Sequence, residues 1–209
     1  YYFSLFIRYG TFTAFNKDPV GFNLSNQPLN FYIPTLEDLY LVFTKPIRPN
    51  FSNQFFSILY SDYWGDYWGY FSFTSRKLEL GRNQIYIGDY LARVNMLSLF
   101  ATIFILLSLF KVLKYYKSSI FVRYIFLSVS ITFFGYLWFL INYPALPTGD
   151  TNKAVYMAQF FNLLLISSTI FLIKLKSKSH IIYKSLIIYF IFLYFHNYSS
   201  YLSHFPYRF

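Results

Sequence analysis

Four apolar runs fill the second half of the chain, each divided from the next by a short polar loop. The first, 91–113, contains VNMLSLFATIFILLSLF; the second, 120–142, reads IFVRYIFLSVSITFFGYLWFLIN. The third, 154–173, is AVYMAQFFNLLLISSTIFLI, and the fourth, 181–195, is IIYKSLIIYFIFLYF. A helix rises about 1.5 Å per residue, so about 20 apolar residues cross a hydrocarbon layer about 30 Å thick. The first three runs reach that length, and the fourth is marginal. The pattern therefore predicts a mainly α integral membrane protein with about four transmembrane helices over 91–195, a polar, aromatic tail over 196–209 and a different kind of region ahead of them.

In that leading region, 1–9 reads as the end of a helix that starts upstream, too short to span by itself. From about residue 10 to 90, Pro19, Pro28, Pro34, Pro46 and Pro49 recur with Asn and Gly between them, which predicts a loop-rich, water-facing segment with short helices at best. One helix start is visible: Thr35 can cap, with Asp38 three residues on.

The loops orient the spans. Lys111, Lys114, Lys117 and Arg123 gather between the first two runs, and Lys174, Lys176, Lys178 and Lys184 between the last two. The loop between the second and third runs holds only Lys153 and Asp150 as charges. The positive-inside rule then puts loops 111–119 and 174–180 in the cytoplasm and residues 10–90, the 143–153 loop and the tail outside a cell membrane.

Composition reinforces the membrane reading. A core of 209 residues has no room to bury 28 Phe and 23 Tyr, so lipid must solvate many of them. The net charge of +10 would suggest nucleic acid in a soluble domain, but the clusters of cations in two short loops between apolar runs mark membrane orientation instead. Without cysteine the chain has no disulfide, thiolate ligand or Cys nucleophile. His180, His196 and His204 have no metal-ligand spacing, so no metal site is expected.

The densest chemistry lies at 60–71, YSDYWGDYWGYF, where DYWG occurs twice in tandem. A helix would put Asp62 with Asp66, and Trp64 with Trp68, on one face. The glycines and crowded aromatics favour a looped or bent segment instead. Two readings stay open: an aromatic belt at the membrane interface, or a sugar-binding surface in which flat rings cover C–H faces and carboxylates accept hydroxyl hydrogen bonds. Further on, Arg76, Lys77, Arg82 and Arg93 are outer-half cations with two readings: a site for a lipid phosphate, which guanidinium groups match with paired donors, or salt pairing with Glu79 and Asp89 together with ordinary headgroup contact. Asp150 or Thr151 is expected to cap the third span, with Lys153 beside the helix start, a place that attracts anions. Gln159 and Asn162, three apart in the third span, are expected to be interhelical amides, with a substrate contact as the other reading. Arg123 and Lys184 are expected to snorkel.

Several segments together carry a resemblance: RYGTFTAFN (8–16), SNQPLNFY (25–32), FTKPIRPNFSNQFFSILYSDYWGDYWGYF (43–71), YLARVN (90–95) and GDTNKAVYMAQFFNLLL (149–165). In this order they resemble the C-terminal half of bacterial and archaeal membrane glycosyltransferases of the GT-C superfamily, related to protein mannosyltransferases and to the enzymes that place aminoarabinose on lipid A. The resemblance implies a sugar on a polyprenyl phosphate as donor, transfer outside the cytoplasmic membrane, and no further cofactor. It implies partners in membrane lipid, the lipid-linked sugar and a catalytic N-terminal half. These enzymes usually carry their catalytic carboxylates in that N-terminal half, so the chain, which begins at Tyr1, is expected to be a fragment and the general base is left unassigned. The donor phosphate is expected near Arg82, Arg93 and Lys153 and the sugar near Asp62, Trp64, Asp66 and Trp68, with Asp150 as a further substrate-binding residue. The alternative is a non-catalytic small subunit of a membrane complex, an organelle-encoded one included.

Overall fold

In a computed structural model of the chain, residue 7 and residues 19–46, 53–66, 81–144 and 152–202 are described, those of 81–87 and 200–202 by their backbone alone. The described residues form helices and connections, with no strand among them. Three short helices, α1 (Leu29–Tyr32), α2 (Leu36–Thr44) and α3 (Phe55–Gly65), precede four long ones: α4 (Gly81–Leu113), α5 (Ile120–Asn142), α6 (Ala158–Lys178) and α7 (His180–Leu202). The stretches Gly88–Leu113, Ile120–Asn142, Ala154–Lys178 and His180–Ser199 are long and apolar enough to cross a bilayer. The protein is thus a multi-pass α-helical membrane protein. Hydrocarbon gives the backbone no partners, and a helix bonds its own peptide groups, which is why these runs adopt that form.

Two boundaries differ from the sequence reading. Helix α4 begins at Gly81, well before the apolar run, and α7 continues to Leu202, so the first part of the expected tail is helical.

The long helices pack through small residues. Ser98, Ala101 and Ser108 of α4 are fully buried, as are Ser167 and, nearly so, Ser168 of α6. Small side chains let membrane helices approach closely. Their hydroxyls remain satisfied at no tertiary cost, because Ser108 donates to Phe104 O (2.6 Å), Ser167 to Leu163 O (3.2 Å) and Ser168 to Leu164 O (3.0 Å). Around them, Ile105, Ile125, Val129, Leu163 and Leu164 join α4, α5 and α6 in one apolar cluster.

The short helices cover the end of the bundle opposite the two lysine-rich loops. Thr35 caps α2 as its sequence suggested: its Oγ1 accepts from Asp38 N (3.2 Å) while Asp38 Oδ2 accepts from Thr35 N (2.8 Å). The other Asp38 oxygen accepts from Gln54 Nε2, which ties α2 to the start of α3. Helix α5 ends with carbonyls that no helical N–H can reach. Gln27 Nε2 donates to Leu140 O (2.7 Å), Asn26 Nδ2 to Ile141 O (3.0 Å) and Val20 N to Asn142 O (3.0 Å). Segment 19–33 is thereby stitched onto the end of α5, and Phe31 and Phe55 pack beside Tyr136 and Leu140 in a second apolar cluster.

The sequence offers Asp150 or Thr151 as the cap of the third span. Asp150 and Thr151 lie outside the described residues, and Lys153 takes the N-cap position of a 3₁₀ turn, Ala154–Met157, that leads into α6 without a side-chain cap. The Tyr136 hydroxyl serves there instead, accepting from Lys153 N (2.8 Å) and facing Lys153 O at 3.2 Å.

Candidate functional site

The first half of the 60–71 stretch is helical. The expectation of a loop or bend fails through Gly65, where α3 ends; Asp66 is its C-cap, its N–H donating to Asp62 O (3.1 Å) and Ser61 O (3.2 Å). Tertiary contact overrides the glycine signal here. Gly65 lies so close to α4 that an added Cβ would stand 2.7 Å from Leu91 Cδ2 and 3.2 Å from Val94 Cγ1. Its lack of a side chain serves close approach rather than a turn. Trp68 falls outside the described residues.

Helix α3 is pinned by polar groups in otherwise apolar surroundings. Asn95 of α4, fully buried, donates from Nδ2 to Val42 O (2.8 Å) at the end of α2 and to Ser61 Oγ (2.9 Å) in α3. Its backbone carbonyl accepts from the Tyr60 hydroxyl (2.6 Å). Burial pushes the Tyr60 pKa well above the usual tyrosine value, so that hydroxyl stays a donor. One turn on, Ser98 Oγ accepts from Asn197 Nδ2 of α7 (3.1 Å), and Trp64 Nε1 donates to Thr102 Oγ1 (2.8 Å). Thr102 lies near the middle of the Gly88–Leu113 span, so the Trp64 ring reaches deep into the bundle. An interfacial anchor points its N–H at water or headgroups; Trp64 spends its own on a membrane helix.

Below α3 lies a cavity of about 440 Å³ between α4, α6 and α7. Its walls are Phe104 and Ile105 of α4, Leu165, Ser168, Thr169 and Leu172 of α6, and Phe190, Leu193 and Tyr194 of α7, with Tyr63, Trp64 and Asn197 at the α3 end. Tyr63 stacks on Phe161 of α6 at 3.9 Å between ring centres, and the Trp64 carbonyl lies 3.5 Å from Asn197 Nδ2 of α7. The last turn of α3 therefore bridges α6 and α7 over the cavity. Leu165 is 43% and Tyr194 56% exposed, so the cavity opens sideways, toward the bilayer.

The sequence-derived site residues that the structure describes do not converge. Asp62 and Asp66 are each 1% exposed and sit with Trp64 at the C-terminal end of α3. Arg93 is exposed and lies across α4 from them: Leu91, Val94, Asn95 and Ser98 face α3, and Arg93 is about half a helical turn away. Lys153 is at the other end of α3, where the neighbouring Asn152 donates to Gln54 O (3.3 Å) and Phe55 O (3.2 Å). Eleven residues of helix, about 16 Å, separate that end from Asp66. Arg82 starts α4, with its side chain outside the description, and Asp150 is outside it altogether. No cluster of His, Cys, Asp and Glu suited to a metal occurs among the described residues.

Two working residues escape the sequence reading. Asn95 stands as a lone amide inside an apolar run, a signal of internal hydrogen bonding in a span. Asn197 falls in the expected tail, because the fourth run ends in sequence before the helix does. No family model, curated protein or solved structure matches the chain.

Proposed function

We propose that this chain is part of a membrane glycosyltransferase that takes a sugar from a polyprenyl-phosphate donor and transfers it to an acceptor outside the cytoplasmic membrane. The observation that carries the reading is the sideways-open apolar cavity roofed by Tyr63 and Trp64. Only hydrocarbon is available at that depth, and a carrier with a long isoprenoid tail has the shape to thread between α6 and α7. Its sugar would then lie toward the end of the bundle that bears the Trp64, Asp62 and Asp66 stretch. Displacement at the anomeric carbon needs a base for the acceptor hydroxyl and cations for the departing phosphate; Arg82, in the first turn of α4, is the candidate cation, and the base is left to the rest of the protein.

The test fills the cavity without disturbing the core. Thr169 is exposed at the wall and its hydroxyl bonds to its own Leu165 O (2.9 Å). In the protein that carries this chain, Thr169→Trp is expected to lower transfer from a polyprenyl-phosphate sugar about ten- to sixtyfold, the loss of two or three buried methylenes at about 0.8 kcal/mol each. Thr169→Val should transfer normally. Wild-type transfer by Thr169→Trp would remove the cavity from the donor site, and absence of any sugar transfer dependent on the protein would favour the subunit reading.

The same reading places loops 111–119 and 174–180 in the cytoplasm. Since the chain has no cysteine, single cysteines at Ser118 and Ser177 should resist an impermeant thiol reagent in intact cells, while one at the exposed Glu37 should react. Labelling of Ser118→Cys but not Glu37→Cys would invert the orientation and take the aromatic helix to the wrong side for this chemistry.

A further inference from the structure

Gln159 and Asn162 do not lie where interhelical amides were expected. Both are exposed on α6, and neither has a hydrogen-bond partner among the described residues. With Ile166 and Ile173 they recur at spacings of three, four and seven, which makes one continuous stripe along the helix. Ile166 is 41% and Ile173 63% exposed, and neither lines the cavity. The opposite side of α6 is the packed one, where Leu163, Leu164, Ser167 and Ser168 are buried.

Depth makes the two amides costly. The span Ala154–Lys178 is centred near residue 166, so Asn162 lies about 6 Å and Gln159 about 10 Å from its middle, inside a hydrocarbon half-thickness of about 15 Å. Lipid tails offer an amide neither donor nor acceptor, so intramembrane amides face protein.

We propose that this stripe is a self-association surface, and that a second copy of the chain covers it through symmetric α6–α6 pairing about a two-fold axis along the membrane normal. Two properties select a second copy. A primary amide both donates and accepts, so Asn162 can satisfy its own mate in both directions. An identical helix in the same orientation also brings that mate to the same depth automatically. The proposal is independent of the sugar-transfer reading, because Gln159 and Asn162 are not part of the cavity wall.

The absence of cysteine makes the experiment direct. Single cysteines at Gln159, Asn162 and Ile166 are oxidised in native membranes and compared with cysteines at Ile131 and Ile188, which are 71% and 68% exposed on α5 and α7. Disulfide-linked dimer is expected to form severalfold faster from Asn162→Cys and Ile166→Cys than from the two controls. Asn162→Leu should weaken dimerisation about three- to twentyfold, the range of one or two interhelical hydrogen bonds, without lowering the thermal stability of the monomer, and Asn162→Gln should restore part of it. Equal cross-linking at all five positions, or single-step photobleaching of the unmutated labelled protein in bilayers, would overturn the proposal. So would capture of lipid or of a different protein at residue 162 in place of the second copy.

Discussion

Replacing Asn95 with Leu is expected to destabilise the protein by about 2–5 kcal/mol, read as a lowered midpoint of thermal unfolding in detergent. The side chain has almost the right volume, so packing is nearly preserved and the loss is polar. Val42 O and Ser61 Oγ each lose the donor they have in Nδ2, and a buried acceptor left unsatisfied costs about 1–3 kcal/mol. Asn95→Asp gives a sharper reading. At neutral pH it keeps the shape of the amide but sets a buried carboxylate, which has no donor, against the Val42 carbonyl. On acidification the carboxyl takes up a proton and recovers a donor for one of the two acceptors. The folded state of this variant then gains stability by binding a proton, so that stability is present at low pH and lost as pH rises. The Asn95→Asp protein should therefore be less stable than Asn95→Leu at pH 7 and regain stability as the pH falls. An Asn95→Leu protein as stable as the parent would show that this amide does not hold α2 and α3 to the bundle.

The weight placed on Asn95 reflects what the chain displays openly and what it hides. The four spans are legible because hydrocarbon imposes one rule, internal backbone bonding, on every residue of a run. The cap at Thr35 is legible for a similar reason, since both halves of the device lie within four residues. What remains hidden depends on partners distant in sequence. Asn26 and Gln27 look like loop residues until they meet the end of α5, more than a hundred residues away. Gly65 reads as a breaker and acts as a contact. Asp62, Trp64 and Asp66 stay together as the sequence groups them, because they share one short helix end, whereas charge and height alone join Arg93 and Lys153 to them. Height is a one-dimensional coordinate; it does not reveal that Arg93 points away from α3 or that Lys153 lies a helix length from Asp66. The spacing of Gln159 and Asn162 puts them on one face, but nothing in that spacing says which way the face turns.

Gly65→Val is expected to cost about 3 kcal/mol, and Gly65→Ala up to about 2 kcal/mol, in spite of the better helix propensity of alanine. Gly65 is not among the residues with positive φ, so alanine suits its backbone and should gain about 1 kcal/mol from propensity alone. Contact decides against it. The new Cβ would meet Leu91 Cδ2 at 2.7 Å and Val94 Cγ1 at 3.2 Å. Leu91 is 2% and Val94 0% exposed, so neither can swing into lipid or water, and overpacking a filled site costs about 1–3 kcal/mol. The yielding part should be the last turn of α3, which carries Trp64. Lifting it lengthens the 2.8 Å bond from Trp64 Nε1 to Thr102 Oγ1 and opens the roof of the cavity. Tryptophan emission, read against a Trp64→Phe background to isolate this residue, should shift to the red in Gly65→Val. The decisive arm is the double variant. Leu91→Ala alone should cost about 2–5 kcal/mol for its cavity. In combination with Gly65→Ala the new methyl occupies part of the vacated space, so the pair should cost at least about 0.5 kcal/mol less than the sum of the single changes. Strict additivity would mean that Gly65 is not the contact seating α3 on α4, and the position of Trp64 over the cavity would then need another cause.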